Sequence, residues 1–334
     1  MLFQVSQTDW IEAEDSPEIR KLRSVGLLLG DADAELVRRD AALAEADWEP
    51  AAAVYHFGTR LSNVDLALSE DDDEIAREAD ASAARFVERH GPPPPHFHVL
   101  GAGPARELPL VRGEGPLYAA LAGRRTARSF DGERPLALDD FAVLLYEVFG
   151  CRAYSAIRPE IVVLRKASPS GGGLHPVEIY PVVRNVEGLD PGLYHYSVRD
   201  HALEPLVPLT NQEAAKRISA YTTGQRWFAN AAAMFVLTAR FRRNFWKYRR
   251  HPKAYATILL DAAHLSQTFY LVATDLGLAA FFTNLVDAGQ IEDELRLDGY
   301  SEGAVAVCGC GAPAPAPSPF EPEFTPYVPR ETRV

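Results

Sequence analysis

Three short stretches hold the residues whose types and spacing suit chemistry. The first, GRRTARSF at positions 123–130, sets Arg124, Arg125 and Arg128 around the hydroxyl of Thr126, directly after GPLYAALA, a segment able to form a short helix. Guanidinium groups and a hydroxyl gathered at one helix end clamp phosphate well, because arginine makes paired charge-assisted bonds and the hydroxyl adds a donor. A solvated basic turn is the plainer reading of the same residues. The second stretch, ASPSGGGLHP at 167–176, removes every β-carbon over one turn. Backbone of that kind lies flat against a planar or anionic ligand and points its N–H groups at it. Neither GxxxxGK[ST] nor a GxGxxG opening a helix is present, which disfavours a nucleoside triphosphate. A flexible loop is the alternative. The third, FRRNFWKYRRHPKAY at 241–255, carries six Lys or Arg side chains within its first thirteen positions. Lys247 and Tyr248 stand side by side among Arg242, Arg243, Arg249 and Arg250. Positive surroundings favour phenolate over phenol and free amine over ammonium, which suits a general base. The competing reading is a charged loop whose long side chains cover Phe245 and Trp246.

The elements that must position these residues follow from periodicity. PEIRKLRSVGLLLG, DADAELVRRDAALAEADW and the acidic run that follows read as helices, giving a small, mostly helical unit over residues 1–95. The Pro- and Gly-dense stretch around GPPPPHFHVLGAGPARELP forms a semi-rigid connector, placed at 96–114. His96 and His98 belong to that connector and not to a ligand set. The main unit spans 115–312. It opens on a helix, LALDDFAVLLYEVFG, with Phe141, Leu144, Leu145 and Val148 on one face and Gly150 at its end. Strands are expected at VEIYPVV, GLYHY, AMFVLTAR and GAVAVC. A long core helix is expected over AYATILLDAAHLSQTFYLVATDLGL, ended by Gly277. The Pro-rich residues 313–334 read as an extended arm.

Composition removes several function classes. The chain has 334 residues and a net charge of −12, so no global field attracts a polyanion and nucleic-acid binding is disfavoured. No apolar run reaches the length of a membrane span, and no signal segment follows Met1, which points to the cytoplasm. Cys151, Cys308 and Cys310 are an odd set without metal-site spacing; the CxC pair reads as buried strand residues, and no metal is assigned. His264 shares a face of the long helix with Asp261 and Thr268 and reads either as a satisfied interface histidine or as one that meets a partner subunit or cofactor.

The succession RRTARSF, PSGGGLHPVEIY, GLYHYSVRDHAL, WKYRRHPKAYATILLDAAHLSQTFYL and LGLAAFF, from about residue 115 to 312, resembles the FMN-dependent nitroreductase fold. More narrowly it resembles the SagB-type azoline dehydrogenases that mature ribosomally made peptides. The resemblance implies an α+β, nitroreductase-like FMN-binding fold, a mixed sheet flanked by helices. It makes Arg124, Arg125, Thr126 and Arg128 ligands of the FMN phosphate, with Thr126 where serine is usual. It lays Pro169, Ser170, Gly171 and Gly172 beside the isoalloxazine ring. Lys247 and Tyr248 fall on the pair that removes a proton from the azoline while the flavin takes a hydride. Departures are CGCGAP, which lacks an arginine found in many relatives, Ala263 in place of glycine, and Thr268 where asparagine is common. DWEPAAAVYHFGTR resembles the entry segment of such enzymes, and the first hundred residues a winged-helix region that holds a leader peptide or partner enzyme. The alternative is a packing extension. The implied partners are a leader-bearing precursor peptide, a second copy in a homodimer embraced by the Pro-rich arm, and a cyclodehydratase. Rival functions are an NAD(P)H-dependent reductase of dehydroamino acids, quinones or nitro compounds, and a non-catalytic flavoprotein scaffold.

Overall fold

VEIYPVV and AMFVLTAR become the two central strands of the molecule, β3 (Val177–Val183) and β6 (Ala233–Arg240), with the boundaries their apolar runs suggest. The computed structural model describes residues 15–24, 28, 30, 33–64, 72–98, 106–319 and 321–329. Four further strands, β4 (Gly192–Ser197), β5 (Ala202–Pro208), β7 (Ala279–Thr283) and β8 (Glu302–Gly311), complete a six-stranded sheet of order β5-β4-β3-β6-β8-β7. Each ladder in it is antiparallel, and one isolated parallel bridge joins Leu136 to Val186.

Strand β6 is apolar without alternation because both faces of the sheet are covered. Ala233, Phe235 and Leu237 point into one core, with the helix α6 (Leu138–Leu144), the π-turn Leu145–Phe149 that continues it, and the long helix α9 (Ala254–Asp275). Met234 and Val236 point into the opposite core, against α7 (Asn211–Tyr221) and α10 (Ala288–Leu295). Each fully buried aliphatic or aromatic side chain in these layers contributes roughly 1.5–3 kcal/mol. Thr210 caps α7 through a reciprocal pair of bonds with Glu213, and α9 stops before Gly277, whose φ of +70° suits glycine. Cys308 and Cys310 lie two apart on β8, both buried in the α9 core, where desolvation pushes their thiols well above the usual range.

Two features lie outside the periodicity argument. A separate hairpin, β1 (Ala153–Arg158) with β2 (Ile161–Arg165), stands exposed beside the glycine stretch. The described residues before position 99 form helices α1 (Pro17–Ser24), α2 (Ala34–Glu45), α3 (Pro50–Thr59) and α4 (Asp72–His90), with no strand among them. Of these, α3 and its flanks share a core with the rest of the chain. Ala46, Trp48, Ala52 and Ala53 pack with Phe241 and Phe245 of α8 (Phe241–Phe245) and with Tyr255 and Ile258 of α9. Among the described residues no helix is long and apolar enough to cross a membrane.

The seam between α3 and the main unit includes a buried ion pair. The Arg60 guanidinium donates twice to Glu292, a side chain only 1% exposed, which also accepts the Ala304 N–H at 3.0 Å. Burial nevertheless holds the Glu292 carboxyl above its ordinary pKa. Arg60→Ala is expected to cost about 2–4 kcal/mol at pH 7, because the carboxylate loses its counter-charge. A folded-state pKa above the unfolded one means that the native state binds the extra proton, so the variant regains stability as pH falls from 7 towards 5. Urea unfolding at both pH values measures this.

Candidate active site

The glycine stretch leaves β2, makes one tight 3-10 turn at Gly171–Gly173, and enters β3. Gly172 and Gly173 both have φ of +67°, a conformation that glycine adopts without strain. Gly172 also lies directly against the basic stretch. A β-carbon there would sit 2.5 Å from Lys247 Nζ and 2.7 Å from the Tyr248 hydroxyl. Lys247 and Tyr248 follow α8 in a short turn, their amides both donating to the Asn244 carbonyl, at 3.1 and 2.9 Å. Lys247 is exposed and Tyr248 half-buried, with Nζ 5.4 Å from the phenol ring centre. Two stretches separated by some seventy positions in sequence thus meet through their polar ends.

Helix α9 holds the shelf in place. Ser170 donates to one oxygen of Asp261 at 2.6 Å, the Gly171 N–H donates to the other at 3.0 Å, and the His175 N–H donates back to Ser170 Oγ at 2.9 Å. Ser168 bonds the Thr268 hydroxyl at 2.6 Å and donates to the His264 carbonyl at 3.3 Å. Thr257, whose methyl abuts Gly171, then Asp261, His264 and Thr268 form one row on α9 at spacings of four, three and four. Asp261 is 4% exposed, and burial raises its pKa while the bonds from Ser170 and Gly171 pull it back. Behind the shelf, Pro169, Lys166, His175 and Asp261 line a small cavity. Burial pushes the Lys166 ammonium below its ordinary pKa, and burial with the Lys166 charge takes His175 down to about 4, so His175 is neutral at pH 7. Arg243 donates to the Leu174 carbonyl, tying the basic stretch to the end of the shelf.

The arginine stretch lies elsewhere along α9. Helix α5 (Pro116–Gly123) ends at Gly123, close to Thr274, and the chain then crosses towards Tyr270. Thr126 shares a 2.8 Å hydrogen bond with the Tyr270 hydroxyl, and the Arg124 guanidinium rests over the same ring, 5.4 Å from its centre. The Ala127 N–H donates to Ala280 of β7 at 2.8 Å, fixing the turn to the sheet edge. No side-chain hydrogen bond or ion pair engages Arg124, Arg125 or Arg128 among the described residues, although the chain carries an excess of acids. The C-terminal arm returns here: Glu321 accepts from the Arg128 N–H at 2.6 Å and from Ser129 at 2.9 Å.

The structure therefore joins Ser170, Gly171 and Gly172 to Lys247 and Tyr248, and joins Arg124 to Thr126 through Tyr270. It does not join the two groups within one chain. From Thr257 to Tyr270 is thirteen residues of α9, about 20 Å along its axis. Asp261, Thr257, Tyr270 and Lys166 enter the site without having been singled out for it. The row Thr257–Asp261–His264–Thr268 is the signal that marks the first two, being polar positions on one face of an otherwise apolar helix.

Residues 121–312 match the nitroreductase family. The trifolitoxin-processing protein TfxB of Rhizobium leguminosarum bv. trifolii is 31% identical over 228 residues, which cover 64% of this chain and 58% of the relative. The microcin B17-processing protein McbC of Escherichia coli is 27% identical over 124 residues, 36% of this chain and 44% of the relative. This chain thus spans about half the length of these two peptide-processing proteins. Among solved structures, a nitroreductase-like protein of Anabaena variabilis superposes with a TM-score of 0.50 at 22% identity, over 59% of this chain and 38% of that one, a likeness of fold. The chain carries the fold of a class whose members bind FMN. It belongs to the nitroreductase family. The residues present fit that cofactor: the Arg124 guanidinium and the Thr126 hydroxyl meet at Tyr270, with no ion pair to Arg124 among the described residues, which suits a phosphate, and a shelf of three glycines suits a flat ring.

Proposed function

We propose that the chain is a peptide-maturation dehydrogenase that oxidises azoline rings in a ribosomally made precursor to azoles. One observation carries this reading: an amine and a phenol meet at the surface of the glycine shelf, where a substrate ring laid against a flat cofactor would present its C–H bonds. The two relatives named for processing trifolitoxin and microcin B17 support a peptide as the substrate.

In this reading Arg124, Arg125, Thr126 and Arg128 hold the phosphate of FMN, and Pro169, Ser170, Gly171 and Gly172 line its ring. When bound, FMN supplies a two-electron sink that accepts a hydride from the azoline. Lys247 and Tyr248 receive the accompanying proton, and loss of that proton with the hydride leaves the ring aromatic. Asp261 keeps the shelf at a fixed height by gripping Ser170 and Gly171. The hairpin β1–β2 and the turn after α8 flank the shelf and give an extended peptide a place to lie.

Because the two halves of the site stand about 20 Å apart along α9, a homodimer in which one chain's arginines face the other's glycine shelf completes it. Ala256, Leu260, Ala263, His264 and Gln267 form an exposed face of α9, with Leu260 59% exposed, which supports pairing there. A cyclodehydratase is the partner that supplies azolines.

The test is anaerobic. Protein loaded with FMN is mixed with an azoline-bearing peptide, and flavin absorbance and peptide mass are followed together. Bleaching with loss of two hydrogen atoms from the peptide is the expected outcome. Bleaching by NADPH with the peptide unchanged favours the reductase, and no bleaching by either favours the scaffold.

A further inference from the structure

The turn that carries Lys247 and Tyr248 has little to hold it. Residues 246–253 are mostly exposed, Arg250 stands at φ +49°, and the internal bonds are those of tight turns, such as His251 N–H to Tyr248 O at 3.0 Å. Backbone with so few buried contacts opens readily, whereas a catalytic pair needs its geometry kept to about 0.5 Å. Both ends of the turn, however, terminate in buried aromatics, Phe245 before it and Tyr255 after it.

Both of those rings are gripped by the N-terminal segment. The Trp48 indole, 4% exposed, lies 4.8 Å from Phe245, 5.5 Å from Tyr255 and 4.7 Å from Phe241. His56 Nδ1 shares a 2.8 Å hydrogen bond with the Tyr255 hydroxyl. Asp47 faces Arg249 at 3.9 Å, the one ion pair made by residues 246–253 among the described residues. The segment is itself fastened at its far side. Trp48 Nε1–H donates to the Tyr300 carbonyl at 2.9 Å, the Gly289 N–H to the Leu61 carbonyl at 3.0 Å, and the Val64 N–H to Asp287 at 2.8 Å, beside the Arg60–Glu292 pair. The backbone carbonyl of Asn244, a fully buried residue of α8, holds both the Lys247 and Tyr248 amides. All of the gripping residues lie outside the span that matches the family, which begins at 121.

We propose that Trp48 and His56 are positioning residues of the Lys247–Tyr248 pair, acting through Phe245 and Tyr255 to hold the turn between α8 and α9 from both ends. The inference rests on the reading of that pair given above. Residues 46–64 are then a structural part of the active site, whatever the remaining N-terminal helices bind.

Hydrogen–deuterium exchange of the full chain with FMN added, read by mass spectrometry, tests this in Trp48→Leu and Tyr255→Phe. Amides of 246–253 are expected to exchange about tenfold faster in the first and about threefold faster in the second, with β6 as protected as in the wild type. FMN affinity and KM for the azoline peptide hold while kcat falls. Unchanged exchange of 246–253 in Tyr255→Phe, or a rise shared equally with β6, overturns the proposal. Should Trp48→Leu not fold, Tyr255→Phe, which deletes a single oxygen, decides alone. Exchange needs no substrate, so a chain that fails to oxidise azolines and a brace that fails to hold the turn give different results.

Discussion

On the proposed function, Lys247→Ala is expected to lower turnover of an azoline peptide by about 10²- to 10⁴-fold and to leave FMN bound, the loss that follows when a positioned proton acceptor is removed. Lys247 is exposed and meets the shelf through its amine and the adjoining Cε, so its removal leaves no cavity in either core. Stability stays near that of the wild type. Tyr248→Phe keeps the half-buried ring and deletes only the hydroxyl, and it is expected to fall in the same range. The double variant loses little more than the worse single one, because two groups that share one proton act as a unit. Steady-state turnover together with the flavin absorbance of the purified protein decides: full turnover by Lys247→Ala with FMN in place removes the pair from the chemistry.

Gly172→Ala strikes the same contact from the other side. The new methyl would need the space 2.5 Å from Lys247 Nζ and 2.7 Å from the Tyr248 hydroxyl, and the backbone φ of +67° strains any L side chain. The strain costs about 1–2 kcal/mol, and displacement of the pair by an ångström costs about 100-fold in turnover. Gly173→Ala is the internal comparison. It shares the φ of +67°, but its β-carbon would meet Val163 at 3.2 Å and neither Lys247 nor Tyr248. Gly173→Ala is therefore expected to lose similar stability and keep most of its turnover. Equal turnover losses in the two variants would show that backbone strain, and not the contact with Lys247 and Tyr248, governs the effect.

Much of the main unit was legible because its signals are local. β3 is apolar but for Glu178 and β6 is apolar from Ala233 to Leu237, α9 repeats its apolar residues at threes and fours, and Gly277 closes it. Less local features were not. β1 is exposed at every residue and leaves no alternation to read, and it exists through its pairing with β2. The π-turn at Leu145–Phe149 keeps a helical apolar pattern, so sequence cannot tell it from the α-helix expected there. Motif order pointed to the arginine, glycine and Lys-Tyr stretches, but not to their division between two ends of one helix. The grip of Trp48 on Phe245 and Tyr255 joins parts of the chain nearly two hundred residues apart, and no pattern in either part announces the other.

Helix α9 touches the brace at Tyr255, the shelf at Asp261 and the arginine turn at Tyr270, and it does so as one uninterrupted rod of 22 residues, about 33 Å long. Inserting or deleting a single residue between any two of these points would rotate everything beyond it by about 100° and swing one attachment off its face. The surrounding loops can lengthen or shrink over generations, but this helix works as a fixed gauge whose residue count natural variation is not free to alter.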